Sequence, residues 1–203
     1  DHRDLHSFPT RRSSDLSIGD KLIPLLDAND VPLVMESVNT LGIFCANGFT
    51  KAVAPIEKLL DHSNFRVRKF AIEALGNSGS STSIEKLFDY FRKEDASIET
   101  KELIARAIGK IGGPRAIEIL KDLIIPSELV PKSIMEVRRA AIAALGESRQ
   151  SAALEILGKV YNDKEEHKVI KSYTEEAIKK TIEAARVQYM NIKKRAEEIL
   201  KGK

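Results

Sequence analysis

Four stretches of the chain carry apolar or small residues at helical spacing, and all four end alike. The runs are Leu33, Ser37, Leu41; Val67, Ala71, Ala74, Leu75; Ile104, Ala107, Ile108; and Val137, Ala141, Ala144, Leu145. Positions three and four apart share one side of a helix, so each run predicts a helix with one apolar stripe. Each closes on a Leu-Gly or Ile-Gly dipeptide, and Gly42, Gly76, Gly109 and Gly146 are 34, 33 and 37 residues apart. A glycine just past an apolar run suits a left-handed C-terminal cap, so these four are predicted to end their helices.

A second apolar segment follows each glycine: IEKLL at 56–60, IEKLF at 84–88, IEILK at 117–121 and LEILG at 154–158. Pro114 falls where the third of these helices begins, a position that tolerates its missing N–H. Thr50, Thr82 and Ser151 are the expected N-caps of the others. The unit is therefore a helical hairpin of about 34 residues whose stripe is covered only by its neighbours, and such units stack in one dimension. The predicted fold is all-α, a right-handed α-solenoid with four hairpins over 28–163 and a long C-terminal helix over 164–203.

LLDHSNFRVRKFAIEALG (59–76) and MEVRRAAIAALGES (135–148) resemble HEAT repeats of the phycobilisome-lyase-like type, in which a loop Asp leads to Val-Arg, small residues and Leu-Gly. The third repeat has Thr100-Lys101 and the first has Leu33-Val34 in place of Val-Arg, which breaks any basic ladder along these positions. The resemblance implies that Arg68 and Arg138 pair with loop acids such as Asp61 and orient neighbouring repeats. An extended array of such repeats suits a non-catalytic protein-binding scaffold or the regulatory part of a larger protein. The resemblance implies, as an alternative, a bilin lyase-like chromophore attachment or chaperone subunit, and a weak nucleic-acid-binding solenoid is the further alternative.

Residues 1–16, DHRDLHSFPTRRSSDL, share no pattern with the rest and resemble the translation of a common short-read sequencing adapter. They are set aside from fold reasoning. Aligning Asp27 with Asp61 makes 17–27 the remnant of a truncated half-repeat, with Leu22, Leu25 and Leu26 expected to be exposed. At the other end, Ile178, Ile182, Ala185, Tyr189, Ile192, Ala196 and Ile199 alternate four and three apart, a heptad-like seam within one helix running from about Glu165. It reads as a capping helix laid on the array, or as a seam for a partner helix or for self-association.

Composition narrows the function. There is no Trp, aromatics are 5% of the chain, and the single cysteine, Cys45, excludes an internal disulfide and a Cys-based metal site. Cys45 is expected to be a small apolar loop residue. His62 and His167 are read as surface residues with no further ligands at metal spacing. The HEAT-like metal-dependent deoxyhypusine hydroxylases are built on His-Glu dipeptides, and this chain contains none. No catalytic residue, metal or cofactor is expected. No apolar run is long enough for a membrane helix, and the cytoplasm is the default compartment.

The net charge of +3 lies in the tail, where 164–203 has a surplus of four cations while 17–163 is one negative. Phosphate binding needs a concentrated basic surface, so nucleic acid is not an expected partner. The regular polar feature is acidic. Glu57, Glu85, Glu118 and Glu155 recur at one place in the second helices, followed four residues on by Asp61, Asp89, Asp122 and, as the exception, Lys159. Residues four apart share a helix face. Glu57, Glu85, Asp89, Glu118, Asp122 and Glu155 are therefore the candidate partner-binding residues for a basic protein surface, against the alternative of an ordinary solvated face.

Overall fold

In the computed structural model the described residues are 11–93, 95–131, 134–148 and 150–200, without the side chains of 11–16, 151 and 195–200. Ten α-helices follow in order: α1 (Arg11–Leu22), α2 (Val31–Ala46), α3 (Val53–Lys58), α4 (Phe65–Ser78), α5 (Ser83–Phe91), α6 (Ile98–Ile111), α7 (Gly113–Ile124), α8 (Met135–Glu147), α9 (Ser151–Asn162) and α10 (Lys168–Leu200). No strand occurs among the described residues. The fold class is the all-α solenoid type. Residues 1–10 of the N-terminal segment lie outside the described residues, and 11–16 are the first half of α1.

Three of the four first helices start on side-chain caps; α8, which follows Ile134, does not. Asp30 accepts the Leu33 N–H (3.1 Å), Asn64 that of Arg66 (2.9 Å) and Ser97 that of Thr100 (3.2 Å). Each satisfies a donor that the first turn leaves open, which stabilises a helix by roughly 1 kcal/mol. These caps recur 34 and 33 residues apart, in step with the glycines. On the second helices the expected caps are placed differently, and α3 starts from Ala52 without a side-chain cap. Thr50 opens a 3₁₀ turn (Thr50–Ala52), and Thr82 hydroxyl meets Ser80 hydroxyl at 2.8 Å. Ser151 is already helical, preceded by Gln150, which makes no cap bond. Pro114 does stand in the first turn of α7, after Gly112 and Gly113 at φ 70° and 86°.

The chain divides into two compact units, 1–83 and 84–203. In the first, α2 and α4 lie side by side, with α3 against α4 and α1 against α2. Val34, Val38, Leu41, Val67, Ala71, Ile72 and Leu75 are fully buried there. In the second, α6, α8 and α10 form one layer in that order, while α7 packs on α8 and α9 on α10. Ile104, Ile108, Ile119, Leu120, Leu123, Ala141, Ile142, Leu145, Leu157 and Ile170 are among its fully buried residues.

The Leu-Gly glycines do not cap helices. Gly42, Gly76, Gly109 and Gly146 all lie inside their helices, which run on to Ala46, Ser78, Ile111 and Glu147. Three of them are places of close approach. A β-carbon on Gly42 would lie 2.8 Å from that of Ala74, one on Gly109 2.4 Å from that of Ala144, and one on Gly146 2.8 Å from that of Ala177. The left-handed cap of α4 is instead Gly79, at φ 64°.

This contact also fixes how α10 is used. Ala177 meets Gly146 as Ala144 meets Gly109, so the first half of α10 is a further first helix, and it buries Ile170, Thr174, Ala177 and Thr181. Thr181 hydroxyl donates to the Ala177 carbonyl (2.9 Å) and lies 3.3 Å from that of Gly146. Its outer side breaks the rule of the earlier helices. Val38, Ile72, Ala105 and Ile142 occupy equivalent positions and all have zero exposure, whereas the next in the series is Glu175, 48% exposed. Lys179 stands where the others have glycine and pairs with Glu175 at 2.6 Å. A stacking face has become a wet one.

Three further expectations are corrected. Leu33 is 41% exposed, because the stripe of α2 runs through Val34, Ser37, Val38, Leu41 and Cys45, one position on from the predicted start. Leu26 is buried and Leu22 and Leu25 half-buried around a 3₁₀ turn (Ile23–Asp27), so 17–27 does not present the expected exposed leucine face. Cys45 lies in the last turn of α2, not in a loop; it is buried, and its Sγ donates to the Phe49 carbonyl at 3.1 Å.

Candidate protein-interaction surfaces

The acidic positions of the second helices are exposed except for the half-buried Glu57, yet most are engaged. Glu85 on α5 takes two bonds from Arg115 on α7, Nε to Oε1 at 2.6 Å and an Nη to Oε2 at 3.3 Å. The same guanidinium reaches Glu118 on its own helix at 3.1 Å. Asp89 pairs with Arg92 (2.8 Å) and Glu155 with Lys159 (2.8 Å). Glu57, half-buried on α3, accepts the Ser83 hydroxyl at 2.7 Å. Asp122 is exposed near the end of α7.

The electrostatics follow the geometry. The Arg115 hydrogen bond holds the Glu85 carboxyl below its ordinary value, and Lys159 does the same for Glu155, with a smaller contribution from Lys121. Across α5 and α7 the stripe therefore runs Glu85, Arg115, Glu118, a ladder of alternating sign. Arg115, which joins Glu85 to Glu118, escapes the repeat pattern, although its place three residues before Glu118 is a legible helix pairing.

The residues assigned to inter-repeat contacts have distinct surroundings. One Nη of Arg68 donates to the carbonyls of His62 (2.7 Å) and Ser63 (2.8 Å), in the loop before α4; Asp61 ends the turn just upstream. Arg138 has no exposure at all. Its Nε donates to the Ile124 carbonyl at the end of α7 (2.8 Å), and its two terminal nitrogens clasp both carboxylate oxygens of Glu166, one at 3.1 Å. Glu166 Oε1 also accepts the His167 N–H at 2.8 Å. One arginine thus ties α8 to the end of α7 and to the loop before α10. Its acid lies 28 residues downstream, so it does not copy the Asp61 position.

Among the described residues neither histidine belongs to a group of three or more His, Cys, Asp or Glu side chains that could hold a metal ion. His62 Nδ1 accepts the Asn64 N–H (3.0 Å) and His167 Nδ1 that of Val169 (3.2 Å), so both serve local turns. No helix among the described residues is long and apolar enough to cross a membrane.

The C-terminal seam is exposed. Ile182, Tyr189 and Ile192 have 53%, 65% and 61% of their surface open, and Ile178 is half-buried. The side chains of Ala196 and Ile199 lie outside the described ones. Where α10 leaves the end of α8, Gly146, Glu147, Lys180, Glu183, Ala184 and Val187 line an open groove of ≈ 550 Å³.

Among solved structures, the chain is similar to an engineered protein at 19% identity and TM-score 0.51, covering 86% of this chain and 83% of that one, a likeness of fold alone. It is also similar to the complex of CpcE and CpcF of phycocyanin lyase from Nostoc sp. PCC7120 (18% identity, TM-score 0.46, 90% of each chain). A third is human deoxyhypusine hydroxylase in complex with glycerol (15%, TM-score 0.34, 84% and 88%). No curated protein matches it in sequence. The family model for HEAT repeats matches residues 19–102 and 95–179, so with its helical hairpins and their glycine–alanine contacts the chain belongs to the HEAT-repeat family.

Proposed function

We propose that this protein is a non-catalytic scaffold that binds another protein through the second-helix surface of residues 84–163. The supporting observation is the Glu85–Arg115–Glu118 bridge, which holds charged groups of α5 and α7 in fixed positions on an exposed face. Groups already immobilised lose little freedom on binding, and alternating charge selects a partner by complementarity more than by bulk attraction. The partner is then one with both signs on its surface, not the simply basic one that an all-acidic stripe would favour.

The test is capture of partners by the full chain beside its Arg115→Glu and Glu85→Lys/Glu118→Lys variants. A protein retained by the parent and lost from both variants, with unchanged circular dichroism, supports the reading. An identical set of captured proteins from all three rejects it.

A further inference from the structure

The second half of α10 has a face with no counterpart in the earlier helices. At 1.5 Å per residue, its 33 residues reach about 50 Å against about 20 Å for the 13 of α8, so the helix overhangs the layer it belongs to. Along the overhang Ile178, Ile182, Ala185, Tyr189 and Ile192 form the heptad line. Each sits one residue beyond the line that α10 buries, Ile170, Thr174, Ala177 and Thr181, which turns it about 100° away. The exposed line therefore continues the outer face of α10 past the Glu175–Lys179 pair.

Its edges are unequal. Lys179, Arg186 and Lys193 recur seven apart and each follows a seam residue by one position, making a cationic border. Lys179 is satisfied by Glu175, while Arg186 and Lys193 make no ion pair among the described residues. The opposite border begins past the buried Thr181 and runs through Gln188 toward sequence position Arg195, without a carboxylate. In paired helices these flanking positions decide partner and orientation.

A second copy is a poor occupant. Antiparallel pairing lays the cationic border against itself, and parallel pairing lays it against the Gln188 and Arg195 positions, so neither border supplies a carboxylate. We propose that the overhang of α10 docks an amphipathic helix of a different protein, one whose apolar stripe is edged by Asp or Glu. The surface is separate from the Glu85–Arg115–Glu118 ladder, so either can fail without the other.

The probe is a fluorescent four-heptad peptide with Ile and Leu in the stripe and Glu at both borders, with a twin carrying Lys there. The full chain is expected to bind the Glu peptide, roughly tenfold or more tighter than the Lys peptide, and to weaken with added salt. Arg186→Glu/Lys193→Glu should reverse that preference, and Ile182→Asp/Ile192→Asp should abolish binding. All four positions are exposed, so the melting temperature should hold and report that the variants are folded. Equal affinity for both peptides, or none for either, overturns the proposal. So does a parent that sediments as a dimer and becomes monomeric on Ile182→Asp/Ile192→Asp, or that binds phosphatidylserine vesicles and neither peptide.

Discussion

Gly109 and Ala144 face one another so closely that a β-carbon on the glycine would stand 2.4 Å from that of the alanine. The approach sets the separation of α6 and α8, and the same device recurs between Gly146 and Ala177.

Gly109→Ala should therefore destabilise the protein. Alanine gains about 1 kcal/mol of helix propensity over glycine, but overpacking costs about 1–3 kcal/mol. Gly158 lies inside α9, and nothing comes within 4 Å of where its β-carbon would stand. Gly158→Ala should thus raise stability by roughly the propensity difference. Urea unfolding of the two variants reads opposite signs; a stabilising Gly109→Ala would refute the close-approach role.

Arg138→Met should cost about 3–5 kcal/mol, because it strands the buried Glu166 carboxylate. Replacing both partners, as in Arg138→Met/Glu166→Leu, should recover much of that loss. A double-mutant cycle from chemical denaturation measures the coupling, and simple additivity of the two single losses would show that the pair does not act as a unit.

Leu145 has no exposure, and its truncation to Ala should cost about 2–5 kcal/mol through lost burial and the cavity left behind. The matching change at Leu33, which keeps 41% of its surface open, should cost far less. Equal losses would mean that the stripe of α2 is placed one residue wrong.

Burial pushes the Cys45 thiol from its ordinary 9.0 up to about 11. A raised thiol value keeps the proton on the folded state while the unfolded chain has already lost it. The contribution is complete below pH 9.0 and is lost as pH rises toward about 11. Melting temperature should fall across that window in the parent, and less steeply in Cys45→Ala. Disulfide-exchange reagents should label the thiol only as the protein unfolds.

What the sequence revealed was the part that repeats. The period, the stripes at Val67 and Val137, Pro114 and the heptad line of α10 all rest on spacing, and spacing survives translation into helices. The misread features share a signature with something else. A glycine after an apolar run looks the same whether it ends a helix, as Gly79 does, or lets a neighbour approach, as Gly109 does. Glu166 was missed because it stands outside the repeating frame, in the loop that only the folded chain brings to Arg138. Arg115 escaped notice for a similar reason: it lies off the recurring acidic positions, yet its length lets it reach across to Glu85.

The ion pair of Glu175 and Lys179 has a bearing on solubility. A face as greasy as those of the earlier helices would take another apolar layer, and head-to-tail addition without closure grows into fibres. Placing two charges there means that covering this face would desolvate an ion pair, which disfavours such addition.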